Sequence, residues 1–186
     1  MPFITTNLPG LLVYEPKVFE DSRGYFFESY NADSFKKEGV EIVFVQDNQS
    51  SSSFGVIRGL HYQLNPHAQT KLVRVLSGKI LDVAVDIRKG SPTFGQSFTI
   101  ELSAENKKQL LVPHGFAHGF SVLSERAEVM YKCDNFYNKS SEGGIRFDDP
   151  ALGIDWKIPA GQANISDKDK VLPGLADCNT NFIFQG

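Results

Sequence analysis

Short hydrophobic runs, separated at close intervals by turn-forming residues, make up most of the chain. Turn sequences such as LPG (8–10), DSRG (21–24) and RKGSPTFG (88–95) recur along it. Helical periodicity is scarce, and NADSFKKEG (31–39) is the one helix predicted near the N-terminus, ending at Gly39. This spacing is typical of an antiparallel sandwich or barrel.

The segment 71–87, KLVRVLSGKILDVAVDI, has the clearest strand pattern. Its Ser-Gly turn separates two runs rich in β-branched residues, which predicts a hairpin. After the turn, the odd positions are aliphatic and the even positions include Asp82 and Asp86, so we expect the two sets on opposite faces. Further strands are predicted at 98–102, 108–112, 118–123 and 127–133. The C-terminal CNTNFIFQG is interpreted as a strand, a partner-docking arm or a frayed tail.

Composition agrees with a β-sheet protein of one domain, residues 1–186. Of the 186 residues, 41% are hydrophobic, and the chain has 15 Phe and 6 Tyr, which favour sheet. The net charge is −3 with both signs interspersed, which argues against a nucleic-acid binder. A few clustered cations would still suffice for a small anionic ligand.

Cellular location is predicted from three features of the sequence. No apolar run approaches the roughly 18 residues of a membrane span, and the N-terminal sequence lacks the features of a signal peptide. Cys133 and Cys178 have no CxxC spacing, so two free thiols in a reducing compartment are expected. We therefore expect a cytoplasmic protein without membrane contact.

A metal site is the first chemistry to consider, because histidines in jelly-roll barrels often bind metals. PHGFAH (113–118) fits the second motif of the cupin superfamily, Pro-x-Gly-x-x-His. A metal-binding cupin carries His-x-His and a glutamate in its first motif, whereas the matching place here reads His61-Tyr62-Gln63. Because a divalent ion needs three or four ligands, His61 and His118 alone predict no metal.

Acid–base chemistry is the remaining candidate, since the chain has no GxSxG elbow, GxGxxG motif or phosphate loop. His61 is the best candidate base because an imidazole titrates near neutral pH, although a hydrogen-bonded barrel histidine is the alternative. Tyr131, in a predicted strand, is either a candidate acid or a tyrosine packed in the core. The cations available near these residues for a small anion are Arg23, Arg58, Lys71 and Arg74.

Seven sequence segments, in order, span about residues 21–170. They are DSRGYFFESYN, FVQDNQSSSSFGVIRGLHYQ, QTKLVRVLSGKILDVAVDIRKGSPTFG, VPHGFAHGFSVLSE, YKCDNFYN, GGIRFDDPALGIDW and SDKD. Together they resemble the dTDP-4-dehydrorhamnose 3,5-epimerase family. The resemblance implies an all-β, cupin-type jelly roll with a few short helices, no metal and no cofactor, usually a homodimer. It also implies epimerisation of dTDP-4-dehydro-6-deoxy-D-glucose at C3 and C5, for dTDP-L-rhamnose synthesis.

The resemblance implies roles for individual side chains. His61 corresponds to the family's base and Asp169 to the carboxylate that pairs with it. Lys71 corresponds to the lysine that stabilises the enolate, and Tyr131 to the acid that returns the proton. Tyr137 corresponds to the aromatic residue that stacks on thymine. The substrate-contacting positions correspond to Arg23, Glu28, Gln46, Asp47, Asn48, Arg58, His118, Glu142 and Lys168, with the Arg23 region crossing the dimer interface.

Alternative functions share parts of this pattern. The closest is an epimerase of the same fold that inverts only C3 or only C5 of a dTDP-4-keto-6-deoxy sugar, because such an enzyme needs the same base and acid. A sugar-nucleotide-binding cupin without activity would not need His61, Lys71, Tyr131 and Asp169 together. A metal-dependent cupin oxygenase would need the ligands that the first motif lacks.

Overall fold

The computed structural model describes residues 2–185, which are mostly strands and turns. The two α-helices are short, α1 (Ala32–Lys37) and α2 (Asp167–Lys170), and Lys139–Ser141 and Leu175–Asp177 form 3₁₀ turns. The strands are β1 (Phe3–Thr5), β2 (Leu12–Tyr14), β3 (Val18–Asp21), β4 (Gly24–Phe27), β5 (Gln46–Ser53), β6 (Val56–Gln63), β7 (Lys71–Ser77), β8 (Lys79–Asp86), β9 (Ser97–Ser103), β10 (Gln109–Val112), β11 (Phe116–Val122), β12 (Arg126–Cys133), β13 (Glu142–Gly144) and β14 (Asn164–Ile165).

Two main sheets contain most of the strands. The first has the order β1-β2-β10-β7-β12-β5, and the second has the order β13-β6-β11-β8-β9, with β14 added in parallel to β6. The remaining pair, β3 and β4, forms a two-stranded sheet of its own. The arrangement confirms the predicted all-β jelly roll with a few short helices.

Apolar side chains pack between the two main sheets and against much of the outer side of each sheet. Val73 and Leu110 of the first sheet and Ala84 of the second belong to one buried cluster between the sheets. The other face of the first sheet packs against Phe35 of α1. The other face of the second sheet is covered by C-terminal residues, among them Ile145, Trp156 and Phe182. Because the central strands are covered on both sides, they lack simple alternation of buried and exposed residues, whereas the edge strand β5 keeps it.

The predicted faces of the strand after residue 80 are confirmed. Val83 and Val85 lie in the outer cluster of the second sheet, whereas Ala84 lies in the cluster between the sheets. Asp82 and Asp86 are nevertheless fully buried, so the even face is not a solvent face. A buried carboxylate requires partners, and each aspartate has at least one hydrogen bond to a nearby side chain.

The predicted hairpin at 71–87 is wrong. Both strands exist, but β7 pairs with β10 and β12 in the first sheet, while β8 pairs with β11 and β9 in the second. Gly78, with φ of +74°, carries the chain from one sheet to the other. Two β-branched runs around a Ser-Gly turn are compatible with either connection, so the local pattern did not distinguish them.

The other predicted elements are present with small changes of boundary. Strands β9, β10, β11 and β12 coincide with the four further segments predicted, and α1 begins after Asn31, whose side chain caps it. Of the three interpretations of the C-terminal segment, the strand is the nearest, since Ile183 forms a single parallel bridge with Lys89. Gly186, the last residue of that segment, lies outside the described residues.

Two further observations concern membrane spans and cysteines. Within residues 2–185, none of the helices has the length and apolar character needed to cross a bilayer. Cys133 is buried, Cys178 is partly exposed, and both are free thiols.

Gly78→Ala should destabilise the fold strongly. A β-carbon at this position would clash with Arg126 O and Ser124 Oγ, in addition to the strain of its positive φ. We expect a loss of about 2–4 kcal/mol in the free energy of unfolding, measured by urea denaturation. Gly90→Ala is the matched control, because Gly90 has φ of +82° but open space around it. Only strain of about 1–2 kcal/mol is expected there, so equal losses would contradict this account.

Candidate active site

A cleft lined by residues of both sheets contains most of the polar side chains predicted to act together. It consists of two adjoining cavities of about 510 and 460 Å³. Both cavities are lined by His61, Lys71, Tyr131 and Lys168. Each volume is within the range of cavities that bind small molecules.

His61 and Asp169 form a hydrogen-bonded pair on the wall that belongs to the second sheet. His61 is in β6, and its Nε2 lies 2.7 Å from Oδ1 of Asp169 in α2. Ser166 caps α2 by accepting from Asp169 N, and Gly59 N donates to Asp169 Oδ2. Asp169 is 4% exposed and lines the second cavity, so α2 places a nearly buried carboxylate against the His61 ring.

Asp169 remains ionised in this setting. Burial raises its pKa. The hydrogen bond with His61 and the charge of His61 oppose this effect, as do the hydrogen bonds with Gly59 and Ser166. Together they outweigh burial and hold the pKa below its usual value. An ionised carboxylate accepts from Nε2–H, which leaves the other ring nitrogen of His61 as an acceptor. The arrangement suits a general base, because the carboxylate fixes the tautomer and stabilises the ring once it has taken a proton.

Tyr131 lies on the opposite wall, in β12 of the first sheet. Burial raises the pKa of its hydroxyl, and the buried thiol of Cys133 adds to this, while the charge of Arg58 opposes it. The hydroxyl is therefore protonated at neutral pH and can donate a proton. The cleft thus has a candidate base and a candidate acid on walls formed by different sheets.

Lys71, the first residue of β7, places a cation beside Tyr131. Its Nζ lies 5.8 Å from the centre of the Tyr131 ring. Burial lowers the pKa of Lys71, whereas the neighbouring Cys133 and Asp82 raise it. A partly desolvated ammonium interacts strongly with negative charge, which makes Lys71 suited to an oxyanion.

A second histidine–aspartate pair lies next to His61. His118 in β11 is directly opposite His61 in the strand register, and its Nε2 is 2.8 Å from Asp82 Oδ1. Both side chains are buried. The Oδ2 atom of Asp82 has no hydrogen-bond partner among the described residues. This buried carboxylate therefore keeps one oxygen free of hydrogen bonds to the described residues, with Lys71 within its electrostatic reach.

Other predicted residues line the edge and interior of the cleft. Tyr137 is 55% exposed and lines the first cavity together with Glu142, which forms an ion pair of 2.7 Å with Lys168. Arg58 lines the second cavity and donates from Nε to Ser52 Oγ at 3.1 Å. These groups supply one aromatic ring and a set of charges around the acid–base residues.

The predicted residues of β5 behave differently from one another. Gln46 and Asn48 face the first sheet's inner side but do not line either cavity; Gln46 Oε1 instead accepts from Tyr137 N at 3.1 Å. Asn48 accepts from Gln46 Nε2 and donates to Cys133 Sγ. Asp47 points to the opposite face and pairs with Lys132 at 3.0 Å. The structure therefore does not place the Asp47 carboxylate in the cleft.

Arg23 and Glu28 also lie outside the cleft. Arg23 joins β3 to β4, is 88% exposed at its side chain, and pairs with Asp21 at 2.6 Å. Glu28 follows β4 and accepts hydrogen bonds from Asn31 Nδ2 and Ser34 Oγ. Within one chain, these two predicted substrate contacts are not brought together with His61.

Some residues at the site were missed by sequence reasoning. Asp82 supports His118, and Gln63, Gln69 and Lys139 line the first cavity. The presence of two carboxylates, Asp82 and Asp86, in the otherwise aliphatic 80–87 run was a usable signal for Asp82. No comparable signal pointed to the glutamines. Among residues 2–185, no three His, Cys, Asp or Glu side chains converge closely enough to hold a metal ion.

The fold and the cleft define a cupin-like jelly roll with a histidine–carboxylate pair on one wall of the cleft and a tyrosine hydroxyl on the other, an arrangement suited to proton transfer. Comparison with known proteins agrees and is more specific. The chain belongs to the dTDP-4-dehydrorhamnose 3,5-epimerase family, whose sequence model matches residues 5–177.

Individual relatives cover nearly the whole chain. The dTDP-4-dehydrorhamnose 3,5-epimerase of Shigella flexneri is 55% identical over 170 residues, 91% of this chain and 93% of that protein. The crystal structure of a dTDP-6-deoxy-D-glucose-3,5-epimerase from Legionella pneumophila, in complex with dTDP-4-keto-L-rhamnose, is 46% identical with a TM-score of 0.94, covering 99% and 98% of the two chains. A 3'-monoepimerase from Streptomyces bikiniensis, in complex with dTDP-quinovose, is 33% identical with a TM-score of 0.86, covering 92% and 86%.

Replacing Lys71 should change how stability depends on pH. Because folding lowers the pKa of Lys71, the unfolded chain binds this proton more tightly, and wild-type stability gains from rising pH until the unfolded lysine also titrates. The free energy of unfolding of wild type minus that of Lys71→Met should therefore rise with pH from the lowered pKa of the folded lysine up to the unfolded value of about 10.5, by about 1.4 kcal/mol for each unit of pKa lowering.

Urea denaturation of both proteins across this pH range measures the difference. The same substitution at Lys37, an exposed residue of α1, controls for the loss of a positive charge. A wild-type-minus-Lys71→Met difference that stays constant with pH would contradict the desolvation of Lys71.

Proposed function

We propose that this protein epimerises dTDP-4-dehydro-6-deoxy-D-glucose at C3 and C5 to dTDP-4-dehydro-L-rhamnose, as a step of dTDP-L-rhamnose biosynthesis. The observation that carries the proposal is the His61–Asp169 pair facing Tyr131 across one cleft, with Lys71 on the same cleft wall as Tyr131. Family membership gives the substrate class, and the chain forms one domain, residues 1–186, that holds the acid–base residues.

Proton abstraction is the first step. A proton on carbon next to the 4-keto group is weakly acidic, and the same ketone activates both C3 and C5. His61 removes this proton, and the electron pair moves to the C4 oxygen to form an enolate. The ammonium of Lys71 stabilises that oxyanion, an interaction of a kind that is commonly worth about 3 kcal/mol of barrier. Asp169 stabilises the imidazolium that results.

Return of a proton from the opposite face completes each inversion. Tyr131 donates its hydroxyl proton to the enolate carbon, and the enolate collapses to the ketone. The phenolate and imidazolium then exchange protons with solvent before the next centre reacts. One base and one acid on opposite walls thus serve both carbons, provided the ring can present each carbon in turn.

The remaining residues bind the nucleotide part and the sugar. Tyr137 at the mouth of the cleft stacks on thymine, since an exposed aromatic ring there can offer a flat apolar surface. Arg58, Lys168 and His118 contribute charge and hydrogen bonds inside the cleft, with Glu142 holding Lys168 in place. Arg and Lys side chains are the usual partners of a diphosphate.

A single-site epimerase of a related dTDP-sugar is the second candidate. The similarity to a 3'-monoepimerase shows that this fold accompanies inversion at one carbon as well. The higher identity to 3,5-epimerases favours the double reaction. The two candidates differ in how many carbons exchange a proton.

Two copies of the chain, we propose, form a homodimer in which the Arg23 region reaches the partner's cleft. The β3–β4 sheet is separate from the main sheets and exposes Phe19, Tyr25 and Phe26, the last at 73%. Exposed aromatic residues of this kind often mark a protein–protein contact. A partner would cover them and bring Arg23, which lies outside its own cleft, to the substrate.

The two free thiols suit a cytoplasmic location.

Deuterium incorporation tests the reaction. Incubated with dTDP-4-dehydro-6-deoxyglucose in D₂O, the wild type should place deuterium at both C3 and C5, observed by proton NMR, whereas a single-site epimerase would label one carbon. His61→Ala should lose exchange and epimerisation together. Tyr131→Phe should lose epimerisation while retaining most exchange, because removal of the proton does not need the acid. Equal loss of both in Tyr131→Phe would contradict its role, and an active His61→Ala would contradict the base.

Mixing two inactive variants tests the dimer. Arg23→Ala and His61→Ala are each expected to show little turnover at low substrate concentration. If Arg23 acts across the interface, subunit exchange gives mixed dimers with one intact cleft, so random mixing should restore about a quarter of wild-type activity. If Arg23 acts within its own chain, no activity returns. Sedimentation analysis of the wild type provides the oligomeric state directly.

A further inference from the structure

The backbone around Tyr137 is held by two glutamine side chains from different sheets. Gln63, the last residue of β6, donates from Nε2 to Phe136 O at 3.3 Å and accepts on Oε1 from Asn138 N at 2.7 Å. Gln46, the first residue of β5, accepts on Oε1 from Tyr137 N at 3.1 Å. The two amides therefore bind the backbone of Tyr137 and of both its neighbours, in a segment that is neither helix nor strand.

The Gln63 side chain is more firmly fixed in the fold than the loop around Tyr137 that it binds. The side chain is 6% exposed, and its Nε2 also donates to His67 O at 2.6 Å. A buried amide with all these bonds made is fixed in orientation, and removing it would leave partly buried backbone groups without these partners. Tyr137, in contrast, presents its ring to solvent at the mouth of the cleft. The fixed side chain of the buried glutamine thus restrains the backbone on either side of an exposed aromatic residue.

We propose that Gln63 is a positioning residue that presets Tyr137 to stack on the nucleobase of the substrate, with Gln46 supporting the loop from the other side. The inference rests on the proposed function, in which Tyr137 binds thymine. A ring on a free loop would lose conformational entropy on stacking, whereas a preset ring loses little. Gln63 therefore contributes to binding of the nucleotide and not to proton transfer at His61.

Gln63→Met tests this role, because methionine has a similar length without the amide. We expect KM for dTDP-4-dehydro-6-deoxyglucose to rise about tenfold and the Kd for dTDP, measured by calorimetry, to rise in parallel, with kcat changed less than about threefold. Gln49→Met is the matched control, since Gln49 lies on the exposed face of β5 and lines neither cavity. It should leave KM and Kd unchanged.

The same substitution in a Tyr137→Ala background separates positioning from a general structural effect. Once the ring is absent, Gln63→Met should raise KM less than about twofold further. A penalty that is as large with Tyr137→Ala as with Tyr137 would overturn the proposal, as would an unchanged KM in the single variant.

A second variant keeps the test valid if circular dichroism shows Gln63→Met to be unfolded. Gln46→Met removes the hydrogen bond on the other side of the loop from a partly buried position. Its KM penalty must likewise disappear in the Tyr137→Ala background, and persistence there would overturn the proposal. If the wild type is active and neither glutamine substitution changes KM, only this inference is contradicted. If the wild type shows no turnover, the proposed function is contradicted.

Discussion

Burial of both faces of the second sheet is the constraint on which the site depends. Its inner face packs against the first sheet, and its outer face needs a cover, which residues between Ile145 and Phe182 provide. As the chain crosses that face, β14 pairs with β6 and α2 follows directly. Asp169 therefore reaches His61 because apolar surface must be hidden, although the two residues are 108 positions apart.

The same packing buries charged groups, which lowers the free energy of unfolding. Lys71 is desolvated enough to lower its pKa, and Asp82 and Asp169 are buried carboxylates. Each has partners that reduce the cost, yet Asp82 keeps one oxygen without a hydrogen bond among the described residues. Groups of this kind are typical of sites in which stability is given up for function. The surrounding apolar clusters, which are extensive on three sheet faces, offset that cost.

The sequence predicted the individual strands better than the way in which they are paired and connected. Strands at 98–102 and 127–133 follow from hydrophobic patterns and turns, which are local signals, and both are present. The hairpin at 71–87 was wrong because the choice between pairing and crossing to the other sheet depends on partners far along the chain. His61 stood out by its chemistry, and the family resemblance selected its partner Asp169. Gln63 was missed because a buried amide at a strand end has no signature in a single sequence.

Strand β5, QDNQSSSS, has an unusually polar sequence for an eight-residue strand, and it lies at the edge of the first sheet, where β12 is its neighbour. During synthesis on the ribosome, β5 emerges long before β12, which begins at residue 126. Until then its backbone groups have no partner in the sheet, a condition in which apolar strands of different chains associate. Its amide and hydroxyl side chains keep the nascent strand hydrated, which disfavours association with other nascent chains before β12 has been synthesised.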